Sequence, residues 1–300
     1  MKWSNLPSEK IVRYCNDFYS RYLEYPSVRD IFYRFVDEFW PNTKSVYRGL
    51  SKWLVNKRLD GVIDWRLVRD GSGREIGGGD FTKNEPEEYV RRQIAEFRES
   101  PKYYRLPMWE GQPYKVVVAS EKEADYPIVN SVLGNLCVHT FYERGYSGWR
   151  PLFQIAKEIV KEGDKLVILP LGDFDPSGED IVSFLGRAMA KLGLAAIVEK
   201  VAVTKEQVNH FRLPHRPEDE EEIKKLQRDP RFKSWPYGLY RVETAALRAK
   251  APDYFDDLLK KAVLKYFNEE IYTKVKRREE KERKKVKQLI DELYGRMRLD

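Results

Sequence analysis

Cysteine, histidine and long apolar runs are all scarce in this chain, and each scarcity removes a class of function. The two cysteines, Cys15 and Cys137, lie far apart and outside any CxxC spacing, so neither a disulfide framework nor a thiolate zinc site is expected. The three histidines, His139, His210 and His215, do not form an HExxH pair, and no Gly-Lys pair is present to build a phosphate loop. Zinc hydrolysis and Walker-type nucleotide use both lose support. No apolar stretch approaches the ~18 residues of a membrane span. The first residues, MKWSNLPSEKIVRYC, lack the apolar stretch and small-residue cleavage site of a signal peptide. A cytoplasmic protein without a membrane partner is expected.

What is abundant is charge. Of 300 residues 34% are charged and 42% hydrophobic, and 55 Lys and Arg against 48 Asp and Glu leave a net charge of +7. That balance favours a polyanionic partner, although a basic but ordinary enzyme would have it too. The length favours two folded units.

Apolar residues recur at helical spacing from Ile11 to Leu23 until Pro26 breaks the pattern. A second helix is expected from Val28 to Phe39, a third from Thr43 to Leu59, and a strand in VIDWRLV, residues 62–68. Three helices and a strand suggest a winged helix over residues 1–82. In the third helix Lys44, Arg48 and Lys52 recur every four residues opposite Val46, Leu50 and Trp53. A recognition helix would present charge to a phosphate backbone in this way, and a solvated face would show the same spacing. The glycine-dense segment Gly71–Asp80 lacks the lysine of a phosphate loop and reads as a wing tip or hinge. Residues 83–112 read as a linker.

From Tyr114 the pattern changes. The β-rich runs YKVVVA, CVHTFY, KLVILPL and AAIVEKVAV alternate with helical stretches, which implies a mostly parallel, Rossmann-like sheet over residues 113–248. Ligands gather at the carboxyl ends of strands in such sheets. Glu121 follows the first run and GDFDPSG follows the third, so Glu121, Asp173 and Asp175 supply hard oxygen ligands suited to Mg2+. Asp175 followed by Pro176 is also a good helix N-cap. A helical region is expected over residues 249–300, whose mixed-sign run KVKRREEKERKKVKQ fits a solvated helix better than a DNA arm.

Tyr33 is one of 19 tyrosines, but Arg29 precedes it by one helical turn, where its guanidinium could hold a phosphate beside the phenol. The segment SVRDIFYRF, residues 27–35, resembles the catalytic-tyrosine motif of the topoisomerase VI A subunit and of its meiotic relative that makes double-strand breaks. SEKEA at 120–124 is similar to that family's glutamate motif, RGYSG at 144–148 to its glycine-aromatic turn, GDFDPSG to its Toprim signature DxDPxG, and VETAAL to its E-x-x-A-L element. The order of the motifs agrees, over roughly residues 27–248.

The resemblance implies an α/β chain: a winged-helix domain carrying a catalytic tyrosine, then a Toprim domain with a helical C-terminal region. It implies Tyr33 as the nucleophile of a magnesium-dependent DNA transesterification, linkage to a DNA 5′ end, and a homodimer in which the tyrosine of one subunit works with the metal site of the other. Double-stranded DNA is the expected partner and the nucleoid the expected location. Only residues 1–26 precede the tyrosine motif, where larger A subunits carry sequence that docks an ATPase B subunit, so partnership with a B subunit is in doubt and a compact, stand-alone relative is expected. Two other readings stay open: a Toprim-type DNA hydrolase in which metal activates water, and a non-catalytic DNA-binding protein of the same fold.

Overall fold

A computed structural model describes residues 8–69, 85–142, 149–216 and 219–297. Contacts group the chain into two compact units: residues 1–73 with 113–266, and residues 74–112 with 267–300. The N-terminal helices therefore share a unit with the sheet, the stretch expected as linker falls in the smaller unit, and the stretch expected as C-terminal extension is divided between the two.

In the larger unit α1 (Ser8–Tyr22) buries Ile11, Cys15, Phe18 and Tyr22, a single stripe at helical spacing. Next, α2 (Val28–Phe35) opens on a capping box: Ser27 accepts from the Asp30 N–H, while the Asp30 carboxylate accepts from the Ser27 N–H at 2.8 Å. The helix stops four residues short of the expected Phe39. Trp40 folds back over its end, donating its indole N–H to Phe32 O at 3.0 Å and burying its ring against Phe32 and Phe35. Asp37 takes a left-handed φ of 69° in the turn between them.

Thr43 caps α3 (Lys44–Leu59), which buries Leu50, Leu54 and Arg58. The strand expected at 62–68 is absent. Trp65–Leu67 instead forms a 3-10 turn capped by Asp64, which accepts from the Arg66 N–H at 2.8 Å and from the Arg66 guanidinium at 3.0 and 2.7 Å. This local acceptor outcompetes strand pairing, leaving one isolated bridge between Ser27 and Arg69. The expected wing tip, Gly71–Asp80, lies outside the described residues.

In the smaller unit α4 spans Pro86–Glu99. The larger unit resumes with β1 (Tyr114–Ser120), α5 (Tyr126–Leu133), β2 (His139–Tyr142) and α6 (Trp149–Gln154), which passes into a π-turn at Ile155–Ile159. Then come β3 (Lys165–Leu171), α7 (Pro176–Lys191) and β4 (Ala196–Val198). The four strands form an all-parallel sheet in the order β2-β1-β3-β4, so the chain is α/β. Val117, Ala119, Leu166 and Ile168 pack with Leu152, Ile181, Leu185 and Met189 in one core.

Helices α8 (Lys205–His210), α9 (Glu220–Arg228), α10 (Thr244–Lys250) and α11 (Pro252–Leu264) follow. The expected C-terminal helix is α12 (Glu269–Met297), in the smaller unit, where buried Glu279 accepts from the Leu106 N–H at 2.9 Å and pairs with Lys276 and Arg283.

Arg248 of α10 is fully buried. It pairs with Asp30 of α2, donating Nε at 2.9 Å, and with Asp125 at the start of α5, donating Nη1 at 2.6 Å. One guanidinium thus joins the helix that carries Tyr33 to the sheet-bearing part of the unit. Removing one member of a buried ion pair strands the other charges. Arg248→Ala is expected to cost about 3–5 kcal/mol, read from urea unfolding, and a loss below about 1 kcal/mol would show that the triad can be spared.

Candidate functional site

The pairing of β1 with β3 places the acids. Ser120 lies opposite Leu171, and the Glu121 N–H extends the ladder by donating to Leu171 O at 2.9 Å. Glu121 and Asp173 therefore leave adjacent strands at their carboxyl ends. Since β2 lies on the far side of β1 and β4 on the far side of β3, this is the point where the strand order reverses and ligands bind in open parallel sheets.

Two glycines let the loop close this tightly. A Cβ on Gly178 would lie 2.1 Å from Asp173 O, and one on Gly172 would lie 2.9 Å from Glu121 Oε2. Glu121 Oε2 accepts from the Asp173 N–H at 2.9 Å, and Asp175 caps α7 by accepting from the Gly178 N–H at 2.8 Å.

Four cations answer these acids. Lys122 Nζ lies 2.7 Å from Asp173 Oδ2 and 3.3 Å from Glu243 Oε2. Lys200 donates to Asp173 O at 2.9 Å and to Glu179 at 2.7 Å. Arg241 Nε lies 3.7 Å from Asp175 Oδ2, and Arg29 pairs with Glu243 at 3.1 Å. Asp173 Oδ1 accepts from the Thr244 N–H at 3.0 Å and hydroxyl at 3.3 Å.

The electrostatics follow. Burial, then the charges of Asp173 and Asp175, pushes Glu121 up to about 7, and Asp175 is raised by burial and by Asp173. Burial acts upward on Asp173 as well, but contact with Lys122 holds its carboxyl below the usual range. Carboxyls raised by the charge of a neighbouring carboxylate, as Glu121 and Asp175 are by Asp173, mark a place where added positive charge is favourable. Among the described residues no three His, Cys, Asp or Glu side chains stand as a ready-made metal cage. The donor set of Glu121, Asp173 and Asp175 nevertheless suits magnesium, which takes few protein carboxylates and keeps several waters.

Tyr33 is buried, at 7% exposure, with its ring edge-on to Phe32. Burial and then the Glu243 charge hold its phenol well above the ordinary range, Asp173 adds to this, and Arg29 and Arg241 act the other way. Tyr33, Arg29, Tyr47, Lys44, Arg48, Lys225, Arg241, Glu222 and Glu243 are among the residues lining one pocket of about 340 Å³. The structure thus brings Tyr33 and Arg29 into electrostatic reach of Asp173 within a single chain.

It does not treat the three expected DNA contacts alike. Arg48 and Lys52 are exposed, whereas Lys44 pairs with Glu221 at 3.3 Å and Glu222 at 3.2 Å. Sequence reasoning assigned no role to Lys122, Lys200, Arg241, Glu243 or Thr244, although Lys122 and Glu243 stand inside SEKEA and VETAAL. The glycine-aromatic segment at 144–148 lies outside the described residues.

A scan against protein-family models and a search of curated proteins find no match to this chain.

The glycine contacts predict opposite outcomes on one helix. Gly178→Ala should destabilise by about 1–3 kcal/mol, because the obstructing atom is backbone. Gly186→Ala, whose Cβ would meet only Val198 Cγ2 at 3.8 Å, should stabilise by about 0.5–1 kcal/mol. Thermal unfolding of both variants checks this, and equal shifts would remove the steric argument.

Proposed function

We propose that this protein cleaves and rejoins DNA by tyrosine transesterification, with Tyr33 as nucleophile, in a winged-helix and Toprim arrangement like that of the topoisomerase VI A subunit. The observation that carries the reading is the shared pocket: Tyr33 and Arg29 line it with Lys44, Arg48, Lys225 and Arg241, and the phenol lies within the field of Asp173.

In the proposed reaction the phenol oxygen attacks a backbone phosphorus, forming a tyrosyl 5′-phosphoester as the bond to the 3′ oxygen breaks. The proton lost by the phenol is matched by one gained at the 3′ hydroxyl, and resealing runs the same exchange backward. Arg29 and Arg241 are placed to hold the phosphate oxygens and to favour the phenolate. Glu121, Asp173 and Asp175 would hold a magnesium ion, which supplies positive charge to the developing phosphorane. A homodimer is part of the proposal by resemblance, and within one chain the Asp173 charge already acts on the phenol.

The burial of the phenol favours a second reading, hydrolysis by a metal-activated water with Tyr33 structural. Tyr33→Phe separates the two, since it keeps the ring and removes the attacking oxygen. With labelled DNA and magnesium on a denaturing gel, wild-type protein should retain label covalently and Tyr33→Phe should retain none while still binding DNA. A Tyr33→Phe variant that cuts as well as wild type would replace the first reading with the second.

DNA affinity should depend strongly on salt. Arg48→Ala and Lys52→Ala should each lower the slope of log affinity against log salt by about 1, and Lys44→Ala by less, because Glu221 and Glu222 already neutralise it. Equal slopes in all three variants and wild type would place DNA on another face.

A further inference from the structure

We propose that Lys122 is a built-in counter-cation standing where a second metal ion would otherwise sit, so that the acid cluster accepts one divalent cation and not two. The proposal rests on the reading of Glu121, Asp173 and Asp175 as a magnesium site.

Four carboxylates lie about this loop: Glu121 on the Asp173 N–H, Asp175 on the Gly178 N–H, and Asp173 and Glu243 on Lys122. Two-metal sites place their ions roughly 3.5–4 Å apart, and a carboxylate between the ions can share its oxygens with both. Asp173 is the acid in the position to bridge, and its oxygens are already shared out. Oδ1 accepts from the Thr244 N–H and hydroxyl, and Oδ2 lies 2.7 Å from Lys122 Nζ.

The same ammonium reaches Glu243 Oε2 at 3.3 Å, so it spans two carboxylates as a bridging ion would. Lys122 Nζ and Glu243 Oε2 are both shut off from solvent. Their attraction is ion pairing in a water-poor space, where an unpaired charge is costly. On the other side, Glu121 Oε1 carries no hydrogen bond or ion pair among the described residues, and Asp175 Oδ2 meets only Arg241 at 3.7 Å. Those oxygens, with a remaining lone pair on Asp173, are enough for one ion that keeps several waters.

Lys122 is a positioning residue in this scheme. Its ion pairs are with Asp173 and Glu243, and by holding Glu243 it helps fix the carboxylate that pairs with Arg29 at 3.1 Å.

Titration with manganese chloride, following free Mn2+ by its paramagnetic resonance signal, tests the assignment. Wild type should bind one ion per chain, Lys122→Arg one, and Lys122→Ala two, with the melting temperature of Lys122→Ala rising more steeply with Mn2+ than that of wild type. Wild type binding two ions would overturn the proposal without any variant, which covers the case in which Lys122→Ala does not fold. One ion in both wild type and Lys122→Ala would reduce Lys122 to a structural residue and overturn it. One ion in Lys122→Ala and none in wild type would support Lys122 as resident cation while removing the magnesium site from the proposed function. No binding to either would remove both.

Discussion

Arg248 gathers two carboxylates from distant parts of the chain into a space closed to water. Asp30 lies 218 residues away and Asp125 lies 123 residues away, and the guanidinium fork meets both at once. An arginine suits this role because its planar donors are fixed in direction and its charge is not lost on burial. Two opposing carboxylates give the buried site a net negative balance, relieved by the Ser27 hydroxyl and N–H on Asp30. The arrangement is costly to desolvate, and a well-packed apolar substitute could be as stable. What it adds is position, because Asp30 is also the capping-box residue of α2. The register of that helix, and with it the direction of Arg29 and Tyr33, is therefore tied to α10, whose N-cap Glu243 and first residue Thr244 stand at the acid cluster.

From that tie the pocket follows. Helix α2 delivers Tyr33 and Arg29, the start of α10 delivers Glu243 and Thr244, and the ends of β1 and β3 deliver Glu121, Lys122 and Asp173. Each group is fixed by backbone contacts of its own: the β1 and β3 ladder, the cap of Asp175 on Gly178, and the capping box at Ser27. Such sites on rigid elements hold geometry better than sites on loops.

The parts legible in the sequence were those governed by local periodicity. Helices α1 and α3, the strands at 114–120 and 165–171, and the cap at Asp175 each depend on neighbours within a few residues. The 62–68 segment misled because its β-branched and aromatic composition competes with an Asp64 acceptor two residues before Arg66, and composition does not register that competition. The early end of α2 was hidden because Trp40 acts across the helix end. Arg248 sits in ALRAK, where a charged residue reads as solvent-facing, and only partners more than a hundred residues away make it a core residue. The acids were found because strand ends are predictable. The counter-ion Lys122 and the further acid Glu243 that it holds stood in SEKEA and VETAAL unassigned, since nothing in spacing shows that two side chains over a hundred positions apart form an ion pair.

Charge on the rim of the pocket constrains any reading in which DNA enters it. The first turn of α9 presents Glu221 and Glu222 to Lys44, and Glu222 also pairs with Arg241. A phosphate that uses those cations must displace carboxylates already in contact with them, so its gain is the difference between two ion pairs and not the whole of one. Arg48 and Lys52, exposed on α3, face no such competitor among the described residues and keep their full long-range attraction, screened over about 8–10 Å at ordinary salt. In the proposed function the two sets divide the task. The exposed pair would draw a duplex in without regard to sequence, while the paired set would admit only a phosphate seated deeply enough to replace Glu222. A strand held at the surface would then leave Tyr33 protonated under its burial and the Glu243 charge, and one seated beside Arg29 and Arg241 would meet the two cations that favour the phenolate.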